Sequence, residues 1–339
     1  MGQGPPYDVY WNQGQRRAPV GQGPPDLRRR GVARMNLTGS GLDLPAELRA
    51  RLRDLRLRTP LQAPIGPLGR QQSRSRGQGL EFAQYRGYVA GDAPRQVDWK
   101  LFARSDRLFV RESERDAPLS VYLVLDCSPS MAQDDLANPG WTRLHAARRL
   151  AACVLELALR EDELFGLLAF EPRAPLWAAA NGGRGQRDRL LAALAGLRPT
   201  QAWPDAPALD AFAARMPPGA LVLVLSDGFD STAAEFAARL AAAQRSVAFV
   251  RILTAEERDF PLRGALHLID PESNAVREVD GDAVRSGFLQ RFGAARADFI
   301  ARLQQRGVAC VEHWLDQPED LALRALFGRG GRIDIGGAT

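Results

Sequence analysis

Residues 121–131 read Val-Tyr-Leu-Val-Leu-Asp-Cys-Ser-Pro-Ser-Met, an apolar run that passes without a break into Asp126-x-Ser128-x-Ser130. Val121 to Asp126 has the composition of a strand buried on both faces, as in a parallel sheet. One carboxylate and two hydroxyls then follow at i, i+2 and i+4 of a tight turn, a spacing at which side chains converge on one point. Such an all-oxygen set suits Mg2+, Mn2+ or Ca2+ rather than zinc. The competing reading is local: the same three residues would cap the next helix and satisfy its free amides.

Beyond Pro118 the pattern is strand alternating with helix. Thr142–Arg160 places Leu144, Ala147, Ala151, Val154, Leu155 and Ala158 on one helical stripe. A strand is expected over Leu164–Phe170, helices near Arg187–Leu197 and Pro207–Arg215, and a strand over Ala220–Leu225 that ends in Ser226-Asp227-Gly228. A strand at Val247–Leu253, a hairpin across Leu266–Val279 turning at Pro271-Glu-Ser-Asn, a helix at Ala283–Gln305, a strand at Val308–Trp314 and a helix at Glu319–Phe327 complete the series. The alternation predicts an α/β fold with a doubly wound, mostly parallel sheet. Ligands of such sheets sit outside the carboxyl ends of the strands. Asp126 and Asp227 would emerge together there, which strengthens the cation reading.

Residues 1–34 are rich in Gly, Pro, Gln and Arg with few aliphatic side chains, a composition expected to stay disordered. Met35 opens a stretch with the look of a native start. Within 35–79, leucines 48, 52 and 55 recur at helical spacing ahead of a Pro/Gly/Ser/Arg linker. Residues 80–118 form a small, β-rich block in which Val97, Trp99 and Leu101 alternate and Leu108-Phe-Val forms a strand. Arg86, Arg95, Asp98 and Arg104 there suit either a buried ion-pair lattice or a face toward a partner, and the block serves either a structural role or as a second contact surface with Tyr85, Tyr88 and Trp99 as its apolar anchors. The main domain covers 119–330, and 331–339 is a flexible end.

The 339-residue chain is 45% hydrophobic, ample for a core, and carries a formal charge of +5. That figure hides an asymmetry: residues 1–118 hold 21 basic and 12 acidic side chains, and 119–339 hold 24 and 28. All basic residues but Lys100 are arginines, without an aromatic-interleaved basic face, so nucleic-acid binding through the front gains little support. No apolar run is long enough for a membrane span and the start lacks a secretory apolar region, so a cytoplasmic location is expected. Cys127, Cys153 and Cys310 show no Cys-x-x-Cys pairing and read as buried thiols.

Glu81-Phe82, Arg86-x-Tyr88, Gly91-Asp92-x-x-Arg95, Asp98-Trp99 and Ala103-Arg104, followed by Asp126-x-Ser128-x-Ser130-Met131 and Ser226-Asp227-Gly228, resemble the bacterial domain-of-unknown-function family fifty-eight, with a von Willebrand factor A-like domain. The resemblance spans about residues 70–330. It implies a non-enzymatic binding module, often associated with MoxR-type AAA+ ATPases. It also implies a metal-ion-dependent adhesion site in which Asp126, Ser128, Ser130, a middle-loop threonine and Asp227 surround Mg2+ and dock an acidic group of a protein partner. Thr200 is the nearest hydroxyl for the middle loop but sits further from Leu209 than the family pattern places it, and Asp205 is a substitute.

Other chemistries fit less well. A serine hydrolase would need Ser128 or Ser130 beside His145, His267 or His313, yet no Gly-x-Ser-x-Gly elbow occurs. Phosphotransfer through Asp126 wants a second acid where Ser128 stands. The chain holds no Walker loop, so any ATP hydrolysis belongs to a partner.

Overall fold

The computed structural model describes residues 42–57, 82–87, 99–105, 107–113, 118–136, 138–170, 174–199, 203–269 and 276–328. In chain order the first elements are α1 (Ala46–Arg51), β1 (Phe82–Gly87), α2 (Trp99–Ser105), β2 (Phe109–Ser113), β3 (Ser120–Leu125), β4 (Asp134–Asp135), β5 (Asn138–Thr142), α3 (Arg143–Arg160), β6 (Leu164–Ala169) and β7 (Leu176–Asn181). There follow α4 (Arg184–Gly196), α5 (Ala206–Ala213), β8 (Leu221–Ser226), α6 (Ser231–Ala242), β9 (Ser246–Leu253), α7 (Ala255–Asp259), β10 (Ala265–Ile269), β11 (Val276–Asp280), α8 (Gly281–Gln305), β12 (Val308–Trp314) and α9 (Glu319–Phe327).

The central sheet has six strands in the order β12-β9-β8-β3-β6-β7, all parallel except the edge pair β6 and β7. Alternate residues of each apolar strand feed two separate cores, as the period of two requires. Val121, Leu123 and Leu125 enter one core with residues of α1, α3, α4 and α9. Tyr122 and Val124 enter the other with residues of α5, α6 and α8. The expected doubly wound, mostly parallel α/β architecture is therefore present, with helices on both faces.

Chain order decides where a crevice opens. From β3 the chain winds outward to β6 and β7, then returns to the other side of β3 and continues through β8, β9 and β12. The winding direction reverses between β3 and β8, so the helices that follow these two neighbours leave toward opposite faces and a gap opens at their carboxyl ends.

Several elements differ from expectation. Helix α3 is buried at 14 of its 18 residues rather than along one stripe, because α1, α4 and α9 cover what would have been its solvent side. Val97, Trp99 and Leu101 predict a strand, but Trp99–Ser105 is helical. Ser105 Oγ donates to the Leu101 carbonyl four residues back at 2.8 Å, and the rings of Trp99 and Phe102 meet edge-on at 6.2 Å, an i,i+3 neighbour pair. Strand β7, helix α6 and the short hairpin of β4 with β5 are additions. The expected hairpin is present as β10 with β11, a two-stranded sheet of its own whose turn, 270–275, lies outside the described residues.

Residues 42–57 pack as part of the main domain. Leu48, Leu52 and Leu55 are buried in the α3-side core, Arg160 donates to the carbonyls of Leu52 (2.9 Å) and Leu55, and Arg324 pairs with Asp54 at 2.9 Å. The described residues between 82 and 113 belong to a separate unit, in which β1 pairs antiparallel with β2. Arg104 there is exposed, and Trp99 is 58% exposed. Tyr88, Arg95 and Asp98, and the side chains of Tyr85 and Arg86, lie outside those described, as do residues 1–34 and 331–339.

Candidate functional site

Asp126 and Asp227 follow the last residues of β3 and β8, the two strands that flank the switch point. The Asp126 amide still donates to the Leu225 carbonyl at 3.0 Å, so its side chain is fixed by the final rung of the ladder. Pro129 then starts a single 3-10 turn, Pro129–Ala132, and the Ser128 amide donates to Asp126 Oδ1 at 2.8 Å. Ser128 caps that turn by position, but its hydroxyl makes no capping bond. It lies 3.0 Å from the hydroxyl of Ser130. The helix that follows is capped instead by Thr142, which forms a reciprocal capping box with His145. The two serine hydroxyls therefore face each other rather than serving a helix end.

From β8, Ser226 Oγ donates to Asp126 Oδ2 at 2.6 Å and accepts from the Gly228 amide at 2.9 Å. Gly228 has φ +70°, and a Cβ there would stand 2.7 Å from Phe299 Cζ, so the Ser-Asp-Gly turn requires glycine on both counts. The turn presents the Asp227 carboxylate, whose Oδ1 accepts from the Phe229 amide at 3.1 Å. The carbonyl of Asp227 accepts from Arg251 Nε at 2.9 Å.

Arg143, the first residue of α3, is 1% exposed and reaches three separate segments of the chain. Its Nη1 donates to Asp227 Oδ2 at 2.9 Å and to the Ser130 carbonyl at 3.2 Å, and its Nη2 donates to Glu257 Oε1 at 2.5 Å. Glu257 is held for this contact by a capping box with Thr254 at the start of α7. Sequence reading missed Arg143 and Glu257, and it named Ser226 only as part of the Ser226-Asp227-Gly228 motif, without a role. One signal was available for Arg143: a cation in the first turn of a helix opposes the helix dipole and asks for an acidic partner.

Burial of Asp126, with the charge of Asp227 next to it, pushes the Asp126 carboxyl up to about 6, against the pull of the Ser226 and Ser128 hydrogen bonds. The Trp203 indole N–H faces the same carboxylate from just before α5 and has no hydrogen-bond partner among the described residues. Two carboxylates and two hydroxyls at the ends of adjacent strands form a donor set that fits a hard cation. Among the described residues no group of three or more His, Cys, Asp or Glu is placed to hold a metal, so any ion there needs the serine oxygens.

Thr200 lies outside the described residues. Asp205 is exposed and caps α5, accepting from the Ala208 amide at 3.2 Å. Of the histidines, His145 is engaged with Thr142, His313 is buried with neither ring nitrogen hydrogen-bonded among the described residues, and the side chain of His267 is outside those described.

The family model described as "Protein of unknown function DUF58" matches residues 84–298, more than half of the chain. The chain belongs to the DUF58 family. The match holds every residue of the site in this DUF58 chain and stops within α8, so that α1, β12 and α9 fall outside it. "Uncharacterized protein Rv1480" of Mycobacterium tuberculosis is 28% identical over 236 residues, 67% of this chain and 71% of that protein. Among solved structures, the conserved hypothetical protein BatB from Bacteroides thetaiotaomicron is 16% identical, covering 57% of this chain and 91% of that one with a TM-score of 0.36. The SpRpn10 VWA domain is 11% identical, covering 66% and 100% with a TM-score of 0.35.

Proposed function

We propose that this DUF58 chain is a non-enzymatic protein-interaction module of von Willebrand factor A-like type, whose switch-point crevice holds Mg2+ and docks an exposed Asp or Glu of a partner. The observation that carries this reading is the meeting of Asp126 and Asp227 at the ends of adjacent strands, with the hydroxyls of Ser128 and Ser130 3.0 Å apart beside them. Bound there, Mg2+ supplies a Lewis-acidic coordination position for a carboxylate oxygen. Ser128 and Ser130 are the neutral ligands, Asp126 and Asp227 supply the charge, and Ser226 holds the Asp126 carboxylate in place. Thr200 is a further candidate ligand. The partner class follows from the resemblance: a MoxR-type AAA+ ATPase would supply the ATP hydrolysis for which this chain has no loop, in cytoplasmic protein assembly or maturation. Among the described residues no helix is long and apolar enough to cross a membrane.

The test is calorimetric titration of the full chain with Mg2+ and Mn2+, followed by pull-down from the native host with Mg2+ or with chelator. Saturable binding that is lost in Ser128→Ala and Asp126→Ala, with partner capture abolished by chelator and by Asp126→Ala, supports the reading. Equal capture with and without chelator overturns it.

A further inference from the structure

Arg143 is an unusual resident for its position. It is the first residue of an 18-residue helix, where the dipole disfavours a cation, and it is as buried as the core leucines around it. Its Nε has no hydrogen-bond partner among the described residues. Burial opposes the guanidinium charge, and only the carboxylates of Glu257 and Asp227 outweigh it. The face of the group stacks over the Phe229 ring, 4.9 Å from its centroid. What holds Arg143 in the crevice is thus a pair of carboxylates, one of which is a proposed metal ligand.

We propose that Arg143 is a tethered counter-cation that competes with the divalent ion for Asp227, so that it sets the metal affinity of the site and latches the crevice when no ion is bound. The inference rests on the metal-dock reading above. Asp227 Oδ2 faces a choice between a guanidinium fixed at 2.9 Å and an ion of the same sign of charge. Weakening one hold strengthens the other by the same factor, because coupling between two equilibria is reciprocal. Glu257 is the second anchor that Arg143 falls back on, and through it the start of α7 joins the latch. A partner that pulled Glu257 away, or offered Arg143 another acid, would change metal affinity without touching a ligand.

The experiment compares Mn2+ and Mg2+ affinities of the full chain with those of the double variant Arg143→Gln/Glu257→Gln. That exchange removes one positive and one negative charge, so net charge is unaltered and a change in affinity is not a net-charge effect. The latch predicts tighter binding, by about 5- to 150-fold, the usual span of site-to-site coupling. Arg143→Lys, which keeps the charge, should stay near the wild-type affinity. Should the double variant fail to fold, the wild-type chain labelled with 15N-arginine answers instead: the Arg143 guanidinium resonance should move with the same midpoint as Mg2+ binding. Binding of equal strength in the double variant, or a stationary Arg143 signal during Mg2+ saturation, overturns the latch and leaves the metal dock standing. Absence of binding in both wild type and double variant sinks the metal dock itself, and the latch with it.

Discussion

Ser226 Oγ donates to Asp126 Oδ2 at 2.6 Å, joining the ends of β8 and β3 across the switch point of the sheet. Ser226 is completely buried, so the bond has no competition from water. It favours the charged carboxylate and opposes the upward push of burial. Ser226→Ala should therefore raise the Asp126 pKa above its value of about 6 and cost about 1.5–3 kcal/mol, the range for a hydrogen bond to a charged group. Carboxyl NMR titration and urea unfolding read the two effects, and a lowered Asp126 pKa would contradict the assignment.

Stability should fall between about pH 4 and pH 7 at two buried acids. Asp126 has an ordinary value of 3.8 and stands at about 6 in the folded chain. Glu256 is pushed from 4.5 to about 7 by burial and by Asp135 next to it. A carboxyl whose folded pKa lies above its unfolded one holds its proton more tightly when native. Its contribution is full below the unfolded value and is lost as pH rises through the folded value, on the order of 2–3 kcal/mol for each group. Glu256→Gln keeps an acceptor for the Leu136 amide and removes the charge. Its gain in unfolding free energy over wild type should appear near pH 8 and vanish near pH 4.

Gly228→Ala should destabilise the chain and distort the Asp227 loop. The residue would adopt φ +70°, and its Cβ would lie 2.7 Å from Phe299 Cζ and 3.4 Å from Arg251 Nε. Backbone strain and overpacking together amount to about 2–4 kcal/mol. Adding Phe299→Leu should recover the packing part but not the strain, and a double variant no better than Gly228→Ala would show that the ring is not the obstacle.

The strands and the two acidic loops were legible because a both-face-buried parallel strand leaves a continuous apolar run and a loop motif survives in local order, as at Val121–Asp126 and Ser226-Asp227-Gly228. Strand β7 was not legible because Leu-Trp-Ala-Ala-Ala-Asn shows neither alternation nor β-branched residues; its antiparallel pairing with β6 is a tertiary choice. Helix α6 did carry a local mark, Asp230 capping the Thr232 amide, ahead of an alanine-rich run whose apolar face is plain only against Phe236 and Leu240. The alternation around Trp99 covers three positions, too few to separate a period of 2 from one of 3.6. The partnership of Arg143 with Glu257 spans 114 residues and joins the start of α3 to α7 through side chains alone, which no window along the chain contains.

The thiols offer a check on core integrity. Cys127, Cys153 and Cys310 are buried and outside any disulfide, burial raises the Cys153 thiol well above its ordinary value, and the Cys310 thiol is pushed up to about 12. The thiolate is the reactive form. All three should resist an aromatic disulfide reagent at pH 8 in the native chain and react together in denaturant; rapid reaction of one thiol without unfolding would show a local opening.

Residues 42–57 should prove part of the main domain. Leu52 and Leu55 are each 1% exposed and sit in the same core as α3 and α9, and Arg160 and Arg324 tie the segment's carbonyls and Asp54 to those helices. Leu52→Ala and Leu55→Ala are therefore core truncations, each costing about 2–5 kcal/mol, whereas the exposed Glu47→Ala should change stability by less than about 0.5 kcal/mol. If α1 were an independent appendage, the leucine variants would leave the main unfolding transition where it was. A chain that begins at residue 119 would strip this cover from α3 and leave α4 and α9 to bury its outer side. Such a chain should melt at lower temperature than the full chain and bind a hydrophobic dye, and equal melting would assign α1 no role in the core.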